Sequence, residues 1–494
     1  MRVKIKNLGL VFILFLGMNT AFAQWDTTWI KTYGGNRDDV ANDMILTPDN
    51  GFLIIGSTSS FGFDNSQMYF LKLDSIGNIM WSKSHGGEQQ EVGTSLIQTS
   101  DGGYLGVGYT NSWGEGGFDI FIVKLDANGN LEYEAVKGGF DWDFAWDVIE
   151  TAPGKFVIAA ETQSFGNGNT DGWLLQFDEA TKTFDWETTV GSAGAENLKA
   201  VTKGNNNDFF AVGMGHQNSP NDSDIMVVKF NSVGDSISTF FYGDTLLDFG
   251  NDIVKMANGS FGITGVRHFA GNNPAISVLQ IDSFGGTEFD TTWSMSFPYG
   301  EGRKITETLN SRLVISGVVD LTSSNSDMYL AYSLPSSFFF STGATLGGAS
   351  NQKEASNALI NLEAGGFAIS GVTNGFNNTY SEILMYKTNV DCVTFSNDFD
   401  NIKDSVNVVG IQTPTTQKTL TSYNSSTGEF TILSGSQDFI FELYNLSGQL
   451  VSQGTLKLNQ PNRITRNSTS GLFIIKVTGV NNSEQLTQLL YLSQ

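Results

Sequence analysis

Short, densely apolar runs recur along the chain at 52–56, 104–108, 156–160, 209–213, 261–265, 313–317 and 367–371. Each follows a weaker strand pattern, such as 41–46, and a tight turn: Thr47-Pro48-Asp49-Asn50-Gly51, Thr99-Ser100-Asp101-Gly102-Gly103, Thr151-Ala152-Pro153-Gly154, Ala257-Asn258-Gly259 or Glu363-Ala364-Gly365-Gly366. Gly and Asn supply the positive φ angles that hairpin turns need. After a variable loop comes a third apolar run, such as 121–126. The turn Asp126-Ala127-Asn128-Gly129 then leads into a fourth strand, which often carries a tryptophan. That strand ends in a small-residue anchor: Gly34-Gly35, Gly86-Gly87, Gly138-Gly139, Gly191-Ser192, Gly243-Asp244, Gly300-Glu301 and Gly347-Gly348. Four antiparallel strands in a unit of about 50 residues, repeated around an axis, predict a β-propeller, whose closure removes exposed sheet edges.

The strand count predicts how the ring closes. The seventh unit supplies three strands, through 367–371 and 383–388, and lacks a fourth that ends in Gly-Gly. The first residues of the mature chain, Trp25 to Tyr33, have the form of that missing strand. The expectation is an all-β chain: a seven-bladed propeller over residues 24–397, closed by an N-terminal outer strand. In the competing arrangement, residues 391–397 finish the seventh blade.

The layout resembles a kelch-type propeller, and more closely a class of exported bacterial propellers whose repeats carry Asp-Gly-Gly-Tyr and Gly-x-Thr-x-Ser-x-Gly. Here the second strands end Gly56-Ser57-Thr58, Gly108-Tyr109-Thr110 and Gly371-Val372-Thr373. That resemblance implies a fold and no single activity.

Both chain ends read as export signals. Arg2, Lys4 and Lys6 precede an apolar run from Leu8 to Met18, and Ala21-Phe22-Ala23 offers a cleavage site. The run is too short to span a bilayer, so residues 1–23 read as a signal peptide and Gln24 as the mature start. No other stretch is long and apolar enough to serve as a transmembrane anchor. After a polar linker at 398–422, residues 423–494 read as a small β-sandwich of alternating strands around an Asn-Leu-Ser-Gly turn. Gly428-Glu429-Phe430, then Tyr444 with Gly448, then Gly471 with Lys476 resemble, in order and spacing, the C-terminal sorting domain of the type IX secretion system of Bacteroidota. Tyr423-Asn424-Ser425 stands where that family usually has Pro-Asn-Pro. The resemblance implies passage through the periplasm and recognition by the outer-membrane translocon and its processing machinery. The product is then secreted or held on the outer-membrane surface.

Charge narrows the partners. The chain has 27 Lys+Arg and 51 Asp+Glu, a net charge of −24. Residues 24–407 hold 19 of the bases and 47 of the acids, and the C-terminal part is near neutral. So acidic a domain repels nucleic acid and anionic lipid. Metal cations, glycans and protein surfaces remain as partners, and the chain is read as a monomer. The single cysteine, Cys392, forms no internal disulfide, and three histidines leave little for imidazole metal sites.

No local catalytic signature is present: Gly-x-Ser-x-Gly, His-Glu-x-x-His and a phosphate-binding glycine loop are all missing. Asp126-Ala127-Asn128-Gly129-Asn130 has its glycine in the wrong place for a calcium loop and reads as a hairpin turn. One series is a metal candidate. Asp39, Glu91, Asp143, Glu196 and Asp248 stand four residues past the second anchor position, with Glu354 close to register. They would either circle the channel mouth and hold Ca2+, or cap their own loops. Asp119, Asp171, Asp224, Asp327 and Glu382 precede third strands and read as structural, as do Trp29, Trp81, Trp186 and Trp293 between blades. Trp113, Trp142 and Trp146 break the repeat beside carboxylates and are candidate ligand-binding residues, suited to stacking on sugars. The expected function is a non-catalytic, exported glycan- or protein-binding module. The alternative is a polysaccharide lyase or glycosidase on the same scaffold.

Overall fold

The computed structural model describes residues 29–388, apart from loop segments at 64, 218–221, 245, 269–273, 294–297, 309–310, 323–324, 335–336, 347–352, 363–365 and 375–379, together with seven strands between 421 and 492. Among the described residues all the regular structure is β. Residues 29–388 form seven four-stranded antiparallel sheets, the blades. The innermost strands of blades 1 to 7 are Asp39–Leu46, Glu91–Gln98, Asp143–Ala152, Asn197–Lys203, Phe249–Lys255, Tyr299–Glu307 and Glu354–Asn361. Each lies against the first strand of the blade on either side, blade 7 against blade 1 included, so the seven enclose a channel. The molecule is a seven-bladed β-propeller.

The burial of each strand follows its position in the blade. Second and third strands, such as Phe52–Thr58 and Gln67–Leu73, are almost wholly buried because neighbouring blades cover both their faces. The outer strand Ile79–His85 is largely exposed. Core clusters lie between blades: Leu53, Ile55, Met68 and Phe70 of blade 1 pack with Leu96, Tyr104, Phe121 and Val123 of blade 2. The fourth strand of blade 7 is Trp29–Tyr33, antiparallel to Glu382–Lys387 with Trp29 opposite Lys387 and Tyr33 opposite Ile383. Trp29 also meets Phe52 of blade 1 edge-on at 6.1 Å, and the Tyr33 hydroxyl donates to the Gly77 carbonyl at 2.8 Å.

Fourth-strand aromatics explain the turn glycines. Gly77, Gly129 and Gly234 have φ of +77°, +79° and +86°, and a Cβ on them would fall 2.8, 2.7 and 2.3 Å from the rings of Trp29, Trp81 and Trp186. Each of these indoles therefore lies on a turn of the next blade, as expected for inter-blade packing. The side chain of Trp293 lies outside the described residues.

Every first strand carries a β-bulge at the same point, from Ala41/Asp43 in blade 1 to Ser356/Ala358 in blade 7. This register corrects one anchor. Gly302 pairs with Gly317 as Ala41 pairs with Gly56, so Gly300 occupies the position of Asp39 rather than that of an anchor. Gly300-Glu301 thus lies inside the first strand of blade 6, which restores the even spacing of the repeats. Gly347-Gly348 lies outside the described residues.

The Thr-x-Asp turns are held from the third strand. Lys124 is fully buried, and its Nζ donates to Asp101 Oδ2 and Glu132 Oε2, both at 2.9 Å. Thr99 Oγ1 and the Gly103 amide donate to Asp101 Oδ1. Partial burial works against ionisation, but bonds from Thr99 and Lys124 prevail and hold Asp101 at about 2. Oxygens of Asp101, Glu132 and Glu179 come within 4.8 Å of one another, and Lys124 supplies positive charge to that cluster.

In the C-terminal part, Thr421–Asn424, Glu429–Ile432 and Pro461–Arg463 form a three-stranded sheet. Leu450–Leu456, Phe439–Asn445, Gly471–Gly479 and Gln485–Leu492, in that order, form a four-stranded one. Phe430, Tyr444, Gly471 and Lys476 fall on these strands, while Gly428, Gly448, residues 1–23 and most of 398–422 lie outside the described residues. Lys124→Met, which keeps the packing and removes the charge, is expected to lower the unfolding free energy by about 2 kcal/mol in urea titrations. An unchanged midpoint would show that the half-exposed carboxylates hold the turn alone.

Candidate functional site

The six carboxylates proposed from their spacing turn away from the channel. Asp39, Glu91, Asp143, Glu196, Asp248 and Glu354 are all buried. Asp39 alternates with core residue Ala41 on its strand, which sets it against the blade interior. Asp143 Oδ2 accepts the Gly139 amide and the Ser164 hydroxyl, both at 2.8 Å, and Oδ1 accepts the Thr162 hydroxyl. Glu91 accepts the Gly87 amide at 3.0 Å and Thr110 Oγ1 at 2.8 Å. Asp248 takes amides from Asp244 and His268. Thr58 and Thr110, which donate to Asp39 and Glu91, belong to the Gly-x-Thr motif, so these carboxylates tie the anchor loop to their own second strand. In blade 6, Gly300 and Val319 replace the pair.

The structural series that begins third strands meets this first series across the blade junctions. Gly138, Gly191 and Gly243 are each wedged between two carboxylates: Asp119 and Asp143, Asp171 and Glu196, Asp224 and Asp248. Burial, then repulsion from Asp143, raises Asp119 to about 6. Burial, then repulsion from Asp222 and Asp248, does the same to Asp224.

The bulges line the channel instead. At the bulged position stand Asn42, Thr94, Trp146, Lys199, Asn251, Arg303 and Asn357. Four of these reach the next blade's backbone: Asn42 to Gly93 O at 2.8 Å, Thr94 to Ala145 O at 2.8 Å, Asn251 to Gly302 O at 2.9 Å and Asn357 to Ala41 O at 2.8 Å. Arg303 bonds Asn357 Oδ1 at 2.7 Å and Glu301 Oε2 at 3.1 Å. One residue further on, Asp43, Asp147 and Asp252 accept the amides of Leu96, Val201 and Ile305 in the next blade. Lys304 Nζ lies 3.9 Å from Asp43 Oδ1. Burial pushes Asp252 up to about 6; Lys304 opposes this, while Asp147 and Asp43 add to it.

The ring of small polar side chains is interrupted by Arg303 in blade 6 and by Trp146 and Lys199 in the adjacent blades 3 and 4. Lys199 Nζ sits 3.1 Å from the centroid of the Trp146 ring and 3.3 Å from Glu161 Oε2. Burial lowers the Lys199 pKa against the pull of Glu161. Around Trp146 gather Phe144 at 6.0 Å and Tyr109 at 6.3 Å, and Tyr109 meets Phe144 at 4.8 Å and Phe118 at 5.3 Å. Trp142, 50% exposed, continues this cluster to the surface, 6.0 Å from Phe118. Trp113, 42% exposed, packs separately on Phe121. Trp142 and Trp146 are thus brought together through Phe144, and Trp113 is not part of their cluster. Phe61, Phe63, Phe140 and Phe165 are exposed in loops of the same end of blades 1 to 3.

This arrangement is an aromatic platform that runs from the surface into the channel, with a cation, a carboxylate and the Tyr109 hydroxyl beside it. Its rings offer flat faces for stacking, and Lys199, Glu161 and Tyr109 offer polar atoms. Spacing alone missed Tyr109, Phe144, Glu161, Lys199 and Arg303. A comparison of bulge positions across blades would have found Lys199 and Arg303, because both replace a small polar residue there.

No family model matches the chain, and no curated protein matches it. Among solved structures it is similar to BamB from Moraxella catarrhalis, at 12% identity and a TM-score of 0.39 over 71% of this chain and 86% of that one. It is also similar to a PL25 ulvan lyase, at 10% identity and a TM-score of 0.49 over 73% and 96%. The polysaccharide lyase Uly1 matches at 9% identity and a TM-score of 0.47 over 73% and 92%. Likeness this distant says nothing about activity.

Two outcomes test the site's energetics. Thr110→Val leaves buried Glu91 short of a donor and is expected to destabilise the fold by about 1–3 kcal/mol in urea titrations. For Asp252 the folded pKa lies above the unfolded one, so folding takes up a proton between the two. Its contribution to stability is therefore present at low pH and lost as pH rises through about 6. The melting temperature is expected to rise as the pH is lowered through about 6, and to rise less in Asp252→Asn. Equal rises in the two proteins would assign the effect to other carboxylates.

Proposed function

We propose that this chain is an exported propeller that binds a glycan at the aromatic mouth of its channel. The observation that carries the reading is the cluster of Tyr109, Phe118, Trp142, Phe144 and Trp146, with Lys199 and Glu161 against it. Sugars present apolar faces to such rings and hydroxyls to flanking polar groups. The cluster occurs where blades 2, 3 and 4 depart from the repeat. Positions that match in most blades are occupied with holding the blades together; positions that differ are free to serve a ligand.

In this reading residues 1–23 direct export to the periplasm, and residues 423–494 form a sandwich that the type IX translocon recognises. The destination is the outer-membrane surface or the medium. The N-terminal strand acts as a clasp: its pairing with the last blade joins the two ends of the ring through one sheet. The propeller works as a monomer, with the glycan as its extracellular partner.

Purified protein is to be tested on a panel of polysaccharides and glycoproteins, with bound protein and newly formed reducing ends scored together. Binding without new ends is expected, and Trp142→Ala should weaken it about tenfold or more, the loss of a stacked aromatic anchor, with little change in melting temperature. New reducing ends, or a Trp142→Ala protein that binds every ligand as well as the wild type, would overturn the reading. Deletion of residues 24–33 is expected to lower the melting temperature markedly, and an unchanged melt would remove the clasp.

A further inference from the structure

The junction between blades 2 and 3 differs from its neighbours in how its carboxylates are satisfied. Between blades 1 and 2 the third strand begins with Gln67, whose amide donates to Glu91 Oε2 at 3.0 Å. Between blades 3 and 4, Asp171 accepts the Asn167 amide at 2.9 Å. Asp119, between blades 2 and 3, is fully buried, and neither of its oxygens has a hydrogen-bond partner. The amides of Glu115 and Gly116 turn toward it without reaching hydrogen-bond geometry.

Its surroundings are built close and rich in oxygen. A Cβ on Gly138 would fall 1.8 Å from Asp119 Oδ1 and 2.8 Å from Asp143 Oδ2, and one on Gly114 would fall 1.9 Å from Asp119 Oδ2. Only glycine leaves that space to the carboxylates. A Cβ on Gly116 would meet the carbonyl oxygens of Phe140 and Gly139 at 2.1 and 2.6 Å, so these carbonyls border the same loop. An ionised carboxylate buried without a partner is costly. A hard cation that takes carboxylate and backbone carbonyl oxygens offsets that cost, and calcium is the one whose flexible coordination suits loop ligands.

We propose that Asp119 binds a calcium ion at this junction, with Asp143 and Glu115 supplying the surrounding negative charge. The ion would sit between the loop that carries Trp113 and the loop that carries Trp142, and would order both. The site stands independently of any glycan, since Asp119 is buried.

The test uses the full chain stripped with chelator and then titrated with terbium or calcium. Trp113 and Trp142 flank the site, so bound terbium should emit when tryptophan is excited, and calcium should displace it. Calcium should also raise the melting temperature of the stripped protein. Asp119→Asn should abolish both responses. Glu115→Gln, an exposed loop change that leaves the fold intact, should weaken the affinity about tenfold, as loss of a supporting charge does. The proposal is overturned if the wild type shows neither response, or if either response survives in Asp119→Asn. Should Asp119→Asn fail to fold, unchanged affinity in Glu115→Gln overturns it.

Discussion

A buried carboxylate at the start of the first strand is the interaction on which the propeller depends. In blade 3 it is Asp143, which gathers the Gly139 amide and the hydroxyls of Thr162 and Ser164. Its own amide donates to the Phe118 carbonyl of the preceding blade at 2.6 Å. One residue thus joins the incoming loop, its own second strand and the neighbouring sheet. Glu91, Glu196 and Asp248 make the same stitch to Ser66, Thr170 and Ser223, and Asp39 makes it to Ser381 of blade 7. Blade 6 keeps the backbone stitch through Gly300 and Pro274 and lacks the side chain. A charge out of water is tolerable only when several donors converge on it. The glycines and threonines of the repeat are those donors or leave them room.

This division between holding and presenting runs through the molecule. The bulges put a side chain from every blade at the channel, and where that side chain is Asn or Thr it reaches for the next blade's carbonyl. Where it is Trp146 or Lys199, the bond to the neighbour is given up and a surface is gained. Lys199 rests on the indole, and Glu161 of the second strand turns toward it. The same exchange shows among the second strands, where Tyr109 and Glu161 occupy a position that is valine in blades 5, 6 and 7.

The periodic features were legible in the sequence because strand burial imposes them on every blade. Apolar second strands, turn glycines and fourth-strand tryptophans all follow from sheets covered on both faces. The carboxylate series was equally visible, yet its role was not. Four residues past an anchor is a position along the chain, and whether it faces channel or core turns on the parity of the strand. The bulge then shifts that parity by one residue. The same shift hid Gly300, which reads as an anchor until its pairing with Val319 is known.

The sequence by itself determined the class of fold and the number of blades, because these depend on local periodicity and on counting. Trp142 and Trp146 were recognisable as departures from the repeat. Only the tertiary structure decided that they form one platform with Tyr109 and Phe118, and that Trp113 packs elsewhere. It also decided that Asp119 meets Asp143 rather than a solvated loop. These contacts join residues from different strands and adjacent blades, and what brings them together is the curvature of a closed ring, which no local pattern encodes.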